Sequence, residues 1–225
     1  MSDELPAPPA IAREVFTGEA WERAEAYAQL LAGPGVVRGL LGPREVSRIW
    51  DRHLLNCAVV GEVIPDKAHV VDIGSGAGLP GLVLAIVRPD ITVTLLEPLL
   101  RRTVFLEECV AALGLSNVEV LRGRAEEIAG KRDFDVATAR AVAPLGRLLR
   151  WSMPLLHEGG ELVAMKGERA AEELAEAEAD LKATGAGSAE LVSVGHGKVE
   201  PPATLVRVVA GRRPERGGGR RRRRR

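Results

Sequence analysis

One glycine-rich loop constrains this sequence more than any other feature. Gly74, Gly76 and Gly78 follow a short apolar run, His69–Ile73, which has the composition of a buried parallel strand. The segment after the loop, Gly81–Val87, has helical periodicity. A glycine turn between a strand and the start of a helix lets the backbone approach a ligand closely. The loop therefore predicts an α/β fold with a ligand bound at this turn.

Two classes of ligand use such a loop. A dinucleotide site has the pattern G-x-G-x-x-G, which fits here at Gly76, Gly78 and Gly81. The other frame starts directly after the strand, at Gly74, and is preceded by Asp72. An acid at this position suits a cation or an amine better than a pyrophosphate, and S-adenosylmethionine (SAM) carries both a sulfonium and an α-amine. We therefore expect SAM; the alternatives are NAD and a structural turn without a ligand.

Two later segments extend the ligand hypothesis. Glu97 follows the next predicted strand, Thr92–Leu96, about 20 residues after the glycine loop, where an acid accepts hydrogen bonds from ribose hydroxyls. Ala125 and Glu126 follow the third predicted strand, in the region where an adenine base would lie. The alternative for this segment is an exposed helix start with acids at its positive end. The spacing of Glu97 fits NAD and SAM equally well.

The rest of the pattern alternates between strands and helices. Further strands are predicted at residues 118–121, 135–138 and 161–165, and a closing antiparallel pair at 190–194 and 204–209. Helices are predicted at residues 99–113, 144–156 and 168–183. This alternation predicts a doubly wound, mostly parallel seven-stranded sheet.

The chain divides into four segments. Residues 1–19 are predicted to be a flexible leader, and residues 20–66 an N-terminal helical extension whose second helix runs from about Pro43 to about Val63. Residues 67–210 form the sheet domain. Residues 211–225 are predicted to be a disordered arginine-rich tail, because the tail has no apolar side chain to bury.

The formal net charge of zero conceals a strong division of charge. The tail carries nine arginines and one acid, so its charge is +8, and residues 1–210 carry −8. Such a tail can collect phosphate groups of a nucleic acid without reading sequence. A solvated terminal run with no dedicated role is the alternative.

Composition also excludes several classes of protein. The longest apolar runs are too short for a membrane span, and the acidic, proline-rich start lacks the features of a signal peptide. Two cysteines, Cys57 and Cys109, are too few for a disulfide framework or a zinc site. We therefore expect a cytoplasmic protein without a metal. Aromatic residues make up 3% of the chain, which argues against an aromatic platform for nucleic-acid bases.

Several motifs together resemble one family. They are VVDIGSGAGLPGLVLAIVRPD, TLLEPLLRRTVFL, GRAEE, ATARAVAPL and AMKG, with WDRHLLNC upstream. The combination resembles the bacterial 16S rRNA guanine-N7 methyltransferases, the methyltransferase G family, also called glucose-inhibited division protein B. The resemblance covers about residues 20–210. Asn56-Cys57 departs from the Asp-Ser of many members, and the polyarginine tail is outside the family pattern.

The resemblance implies a Rossmann-like SAM methyltransferase fold and a specific activity. The activity is methyl transfer to N7 of one guanine in the decoding region of 16S rRNA, so the expected partner is 16S rRNA or the small ribosomal subunit. Separately from the resemblance, we expect a monomer. The SAM contacts of the family fall on Gly74, Leu79, Ala125, Glu126 and Arg140 of this sequence.

The chemistry of guanine N7 agrees with this resemblance. N7 has a lone pair and no proton, so it attacks a methyl group directly, and a site that only orients the reactants is sufficient. Arg140 ends the fourth predicted strand, where doubly wound sheets place their ligands. It is the candidate catalytic residue, able to hold the cofactor carboxylate, guanine O6 or a phosphate. A surface salt bridge is the alternative.

Four more residues are candidate RNA contacts. Arg48 and Arg52 lie one helical turn apart with His53 beside them, and Lys166 ends the fifth predicted strand. Each has a structural alternative: a solvated helix face for the arginines, a packed core position for His53 and a solvated strand end for Lys166.

Two other classes of function remain open at this stage. An NAD-dependent oxidoreductase needs a catalytic acid or base in its second half, where only His157 and His196 are available as histidines. A noncatalytic module that binds SAM or RNA is the second alternative. Titration with SAM and with NAD separates the first class from a methyltransferase, and methyl transfer to RNA separates the second.

Overall fold

A seven-stranded sheet is the centre of the structure, which is a computed structural model that describes residues 5–211. The strand order is β3-β2-β1-β4-β5-β7-β6. The first five strands in this order are parallel, and β7 is antiparallel to both β5 and β6. The predicted doubly wound sheet with a closing antiparallel pair is therefore confirmed. The strands are β1 (His69–Ile73), β2 (Thr92–Glu97), β3 (Val118–Arg122), β4 (Phe134–Arg140), β5 (Leu156–Lys166), β6 (Ala186–Val194) and β7 (Ala203–Ala210).

The order in which the strands are added to the sheet changes direction at β1. Strands β2 and β3 lie on one side of β1, and β4 and β5 lie on the other. The connections that leave the carboxyl ends of β1 and β4 therefore run to opposite sides and leave a crevice between them, where such sheets bind ligands. The glycine loop follows β1 and Arg140 ends β4, so both predicted site segments lie at this crevice.

Helices cover both faces of the sheet, with a separate cluster of buried apolar residues on each face. They are α1 (Ala12–Val15), α2 (Glu19–Leu30), α3 (Asn56–Ala58), α4 (Gly81–Val87), α5 (Leu100–Leu113), α6 (Ala125–Ile128), α7 (Leu145–Ser152), α8 (Ala170–Glu176) and α9 (Glu178–Thr184). The prediction of a single helix at 168–183 is wrong, because the chain turns at Ala177 and forms two short helices. Ala170 and Ala177 are both buried, so the turn lets both helices pack on the sheet.

The second helix of the extension is helical over its predicted length but is not a regular α-helix. It consists of 3-10 turns at Pro43–Arg48, a π-helical segment at Ile49–Leu55, the short α3, and 3-10 turns at Val59–Val63. The wider π turn lets nearby residues share one face, and five of the seven residues of that segment are buried. Trp50 from this face stacks on Trp21 of α2, with ring centroids 5.7 Å apart.

The predicted flexible leader is wrong for part of residues 5–19. Helix α1 forms within it, and Phe16 is buried with its ring edge against Trp50. The proline-rich composition suggested a loose segment, but Ala12 and Phe16 are buried and Ile11 and Val15 pack against the same core, which docks this stretch on the extension. The arginine-rich tail lies, except for Gly211, outside the described residues, as do residues 1–4. Between residues 5 and 211, no helix has the length and apolarity that crossing a membrane requires.

Candidate active site

The glycine loop adopts the conformation that its sequence predicts. Gly74, Gly76 and Gly78 all have positive φ angles, of 69°, 57° and 97°, a region that side chains disfavour. A Cβ on Gly78 would lie 2.4 Å from a methyl carbon of Leu82. From the extension, Tyr27 donates a 2.7 Å hydrogen bond from its hydroxyl to the backbone oxygen of Ala77. The loop is therefore held between α4 and the extension.

Asp72 lies fully buried directly before this loop. Its Oδ2 accepts a 3.1 Å hydrogen bond from the backbone N–H of Gly81, whereas Oδ1 is buried and has no partner among the described residues. Burial raises the pKa of Asp72 to about 7, and the nearby charge of Glu97 adds to this. A buried carboxylate with a free oxygen is suited to a cationic ligand group.

Glu97 is buried at the end of β2 and already accepts hydrogen bonds from the protein. The backbone N–H groups of Gly76 and Leu99 each donate to it at 3.0 Å. The sequence predicted that Glu97 accepts bonds from ribose; in this structure it also fixes the glycine loop. A carboxylate has about four lone-pair sites, so the two roles are compatible.

The remaining predicted cofactor residues lie around the same edge of the sheet. Ala125 is buried at the start of α6, Glu126 beside it is exposed, and Leu79 in the loop is half-buried. Together with the free oxygen of Asp72 and the positive-φ glycines, this arrangement fits SAM. Which of these residues touch the cofactor stays a prediction.

Arg140 at the end of β4 is bound by the extension. Its Nη1 donates to the sulfur of Cys57 at 3.1 Å and to the backbone oxygen of Arg52 at 3.3 Å, and its Nη2 donates to Nδ1 of His53. The Nε–H of Arg140 has no partner among the described residues, which leaves it for a ligand. Burial raises the pKa of the Cys57 thiol, although Arg140 opposes the shift, so Cys57 is an acceptor here and not a nucleophile.

His53 is buried between two charged residues. Its Nε2 lies 2.9 Å from Oε2 of Glu45, opposite the nitrogen that faces Arg140. Burial, followed by the charge of Arg140, lowers the pKa of His53 to about 4 against the opposing effect of Glu45. The ring is therefore neutral at physiological pH. Both ring nitrogens are engaged, so neither is left for the RNA contact that the sequence suggested.

A cleft of about 1580 Å³ opens beside Arg140. Its walls come from the extension, from the loop after β4, from the segment after β5 and from residues 198–204, which lead into the start of β7. The predicted RNA contacts in its lining are Arg48, Arg52 and Lys166. The cleft and the glycine loop are neighbours, because a Cβ on Gly74 would lie 3.0 Å from a methyl carbon of Val142 in the cleft wall.

The three basic candidates in the cleft differ in their exposure and in the partners that they already have in the protein. Lys166 is nearly buried and binds Glu173 at 2.7 Å and the backbone oxygen of Ala143 at 3.1 Å, so it braces the wall. Arg52 is half-exposed and 3.8 Å from Glu45. Arg48 is exposed and forms no ion pair within residues 5–211. Arg48 and Arg52 are therefore better placed for a phosphate than Lys166.

Three contributors were not found from the sequence. Tyr27 and Val142 act through contacts with residues far away in the chain, and local patterns carry no signal for such contacts. Glu45 contacts His53, eight residues further on, through the irregular turns of the extension, which the predicted regular helix did not include. In the described part of the chain, no three His, Cys, Asp or Glu side chains converge as they would around a metal ion.

Comparison with known proteins decides between the cofactor classes. Residues 20–200 match the family described as rRNA small subunit methyltransferase G. The chain belongs to this family. The protein named Ribosomal RNA small subunit methyltransferase G of Thermobifida fusca (strain YX) is 60% identical over 206 residues, which cover 92% of this chain and 86% of that protein. The protein of the same name from Nocardioides sp. is 56% identical over 209 residues, 93% of this chain and 84% of that protein.

Solved structures of other methyltransferases share this fold. A SAM-dependent O-methyltransferase of Thermotoga maritima has a TM-score of 0.52 at 15% identity, covering 71% of this chain and 66% of that chain. A ribosomal protein L11 methylase of Lactobacillus delbrueckii subsp. bulgaricus has a TM-score of 0.53 at 15% identity, covering 70% and 77%. These likenesses show the fold. With the family, they confirm a SAM-dependent methyltransferase, and the NAD-dependent oxidoreductase is not favoured.

The raised pKa of Asp72 predicts an unusual effect of Asp72→Asn. The folded value of about 7 exceeds the unfolded value of about 3.9, so ionisation of Asp72 destabilises the fold as the pH rises through this window. At pH 8, we expect the free energy of unfolding of Asp72→Asn to exceed that of wild type by up to about 4 kcal/mol. At pH 4, we expect the two free energies of unfolding to be nearly equal. Urea unfolding of both ligand-free proteins measures this; a difference that does not change with pH contradicts it.

Proposed function

We propose that this protein transfers the methyl group of SAM to N7 of one guanine in the decoding region of 16S rRNA. The substrate is 16S rRNA or the small ribosomal subunit, and the protein acts as a monomer in the cytoplasm. The names of the relatives support the class of RNA. The observation that carries the proposal is the position of Arg140, which lines an open cleft next to the glycine loop, together with Arg48 and Arg52.

The division of the site into two halves supports this proposal. On one side, the glycine loop, Asp72 and Glu97 form a cofactor edge, to which Leu79, Ala125 and Glu126 also belong. On the other side, Arg48 and Arg52 lie in the lining of the cleft and offer positive charge to phosphate groups, which fixes orientation without reading the base. Residues 1–210 carry a net charge of −8, so these local arginines matter for an RNA substrate.

The proposed reaction needs little from the protein except orientation. SAM, when bound, supplies a methyl group made electrophilic by its sulfonium. Guanine N7 presents a lone pair and carries no proton, so no side chain has to act as a general base. Holding two reactants in line can account for about 7–11 kcal/mol of a barrier. Arg140 contributes by offering N–H donors at the boundary between the two halves.

The proposed mechanism predicts different pH profiles for kcat and for kcat/KM. At saturating SAM and RNA, we expect kcat to be flat between about pH 6.5 and 9, because N7 carries no proton to remove. This range includes the pKa of Asp72, which is about 7. In contrast, kcat/KM for SAM should fall below pH 7, because protonation of Asp72 removes the negative charge that faces the cofactor. Initial rates over this range measure both profiles. A limb in kcat with a pKa near neutrality would point to a general base and contradict the mechanism.

Methyl transfer in vitro tests the proposed function. Purified protein is incubated with radiolabelled SAM and either naked 16S rRNA or small subunits that lack the modification, and the RNA is digested to nucleosides. We expect the label in 7-methylguanosine with at least one of the two substrates. Label in another nucleoside refutes the proposal, and SAM binding without any transfer would favour a noncatalytic module.

A further inference from the structure

The N-terminal extension binds Arg140, which lines the cleft at the carboxyl end of β4. Three acceptors from the extension contact the Arg140 guanidinium: the backbone oxygen of Arg52, Nδ1 of His53 and the sulfur of Cys57. None of these three acceptors is a carboxylate, so none of them offsets the positive charge that Arg140 can offer to a ligand. A guanidinium has five N–H donors, and the three contacts leave the Nε–H and one N–H of Nη2.

We propose that His53 and Glu45 are positioning residues for Arg140. Glu45 holds the His53 ring in the tautomer with a proton on Nε2, and the bare Nδ1 then fixes the guanidinium at the carboxyl end of β4. The proposal rests on the proposed function only in taking Arg140 as a contact of the cofactor. Neither His53 nor Glu45 touches the reacting atoms.

The hydrogen-bond geometry determines the tautomer. An arginine can only donate, so the ring nitrogen that meets Nη2 of Arg140 must accept. A neutral imidazole then carries its proton on the other nitrogen, Nε2, which lies 2.9 Å from the Glu45 carboxylate. Glu45 therefore selects the state of His53 that can bind Arg140. The reverse tautomer would place an N–H against the guanidinium and an unprotonated nitrogen against the carboxylate.

The burial of the histidine makes this selection effective. The His53 side chain is 5% exposed, whereas that of Glu45 is 30% exposed. Water therefore has little access to Nδ1 and cannot easily replace it as the acceptor for Arg140. Orientation of a long side chain by packed neighbours is what a site of this type requires, because an arginine that rotates loses its alignment with the ligand.

Two amide substitutions at residue 53 separate the roles of the two ring nitrogens. In His53→Asn, the side-chain oxygen can occupy the place of Nδ1 and still accept from Arg140, although the side chain cannot reach Glu45. In His53→Gln, the amide nitrogen can occupy the place of Nε2 and still donate to Glu45, but no acceptor remains at the Nδ1 position. The two variants have similar polarity and remove the same ring, so each controls for the other.

Isothermal titration with SAM, in the absence of RNA, measures the effect. We expect the Kd for SAM to rise about tenfold or more in His53→Gln, as for a lost hydrogen bond to a charged group, and by less than about threefold in His53→Asn. The matched control is His157→Asn, because His157 also pairs with a carboxylate, Asp135 at 2.8 Å, but lies at the opposite edge of the sheet. We expect this control to bind SAM as wild type does.

A double-mutant cycle tests whether His53 acts through Arg140. In the Arg140→Lys background, His53→Gln should change the Kd for SAM by less than about twofold, because the group that it positions is absent. Equal losses in His53→Asn and His53→Gln, or a full effect of His53→Gln in the Arg140→Lys background, would overturn the proposal. Neither outcome depends on which nucleotide is methylated, so failure here is distinct from failure of the proposed function.

The imidazole nitrogens provide a readout that does not depend on binding. The chain contains four histidines, and the His53 signals in a nitrogen-15 spectrum are assigned by their loss in His53→Asn. We expect wild type to show the tautomer with the proton on Nε2. In Glu45→Ala, which removes the acceptor that faces Nε2, we expect a mixture of tautomers and a weaker affinity for SAM. A wild-type ring with its proton on Nδ1, or an unchanged tautomer and affinity in Glu45→Ala, would contradict the role of Glu45.

Discussion

Replacement of Gly74 by valine should weaken SAM binding by at least about tenfold while the protein stays folded. The φ angle of Gly74 is 69°, where a β-branched residue is strained by about 1–2 kcal/mol. In addition, the new Cβ would lie 3.0 Å from a methyl carbon of Val142. The loop must shift to relieve both conflicts, and the shift moves the backbone that the cofactor approaches. Isothermal titration with SAM, with circular dichroism to verify folding, measures this result.

A second glycine provides the matched control for Gly74→Val. Gly159 also has a positive φ, 82°, but a Cβ there would meet no atom within 4 Å, and it lies in the first part of β5, far along the strand from Lys166 at its carboxyl end. Gly159→Val should therefore carry a similar backbone strain and keep the affinity of wild type for SAM. Wild-type affinity in folded Gly74→Val, or an equal loss in both variants, would show that the loop is not the cofactor site.

Replacement of Arg140 by alanine should lower kcat/KM by about 10²–10³-fold, the range found when one preorganised donor is removed from an active site. The loss has two sources, since the variant lacks the donors that face the ligand and leaves Nδ1 of His53 and the sulfur of Cys57 without their partner. Arg140→Lys should recover part of the activity, because an ammonium keeps the charge but not the planar arrangement of donors. Initial rates with varied SAM and varied RNA measure both variants.

Arg132 is the control for this experiment. Like Arg140 it donates from both terminal nitrogens, in this case to Glu119 at 3.0 and 2.6 Å, but it precedes β4 at the opposite end of the strands. Arg132→Ala should change kcat/KM by less than about threefold, as for a surface ion pair. If Arg140→Ala falls within the same narrow range, Arg140 is a structural residue and the site lies elsewhere.

The elements that the sequence predicted well are those defined by their own residues. Strand β1 and helix α4 have the predicted bounds, and β2 extends the prediction by one residue, because a buried parallel strand is an apolar run and glycine ends it sharply. Strand β5 was placed too late. It begins at Leu156, which pairs with Phe134 across a bulge, and pairing with a distant strand is not visible in a local pattern.

The residues of the site also fall into two groups, those indicated by a local motif and those that depend on contacts with distant residues. The sequence predicted the glycine loop, Asp72 and Glu97 from a motif and its spacing, and their positions at one edge of the sheet follow from the parallel topology. The contact of Arg140 with His53 joins residues 87 positions apart, and no periodicity could have indicated it. The regular helix predicted in the extension is replaced there by a π-helical segment, whose turn depends on what it packs against.

Mapping of 16S rRNA by mass spectrometry, in cells with and without this gene, shows whether this protein methylates guanine N7. We predict that one guanine in the decoding region carries an additional methyl group, at N7, when the gene is intact, and that the group is absent when the gene is deleted. Restoring the gene should restore the methyl group, and restoring it with Arg140→Ala should leave most copies unmodified. Identical 16S rRNA in both cells, or loss of a methyl group from a different nucleotide, would contradict the account.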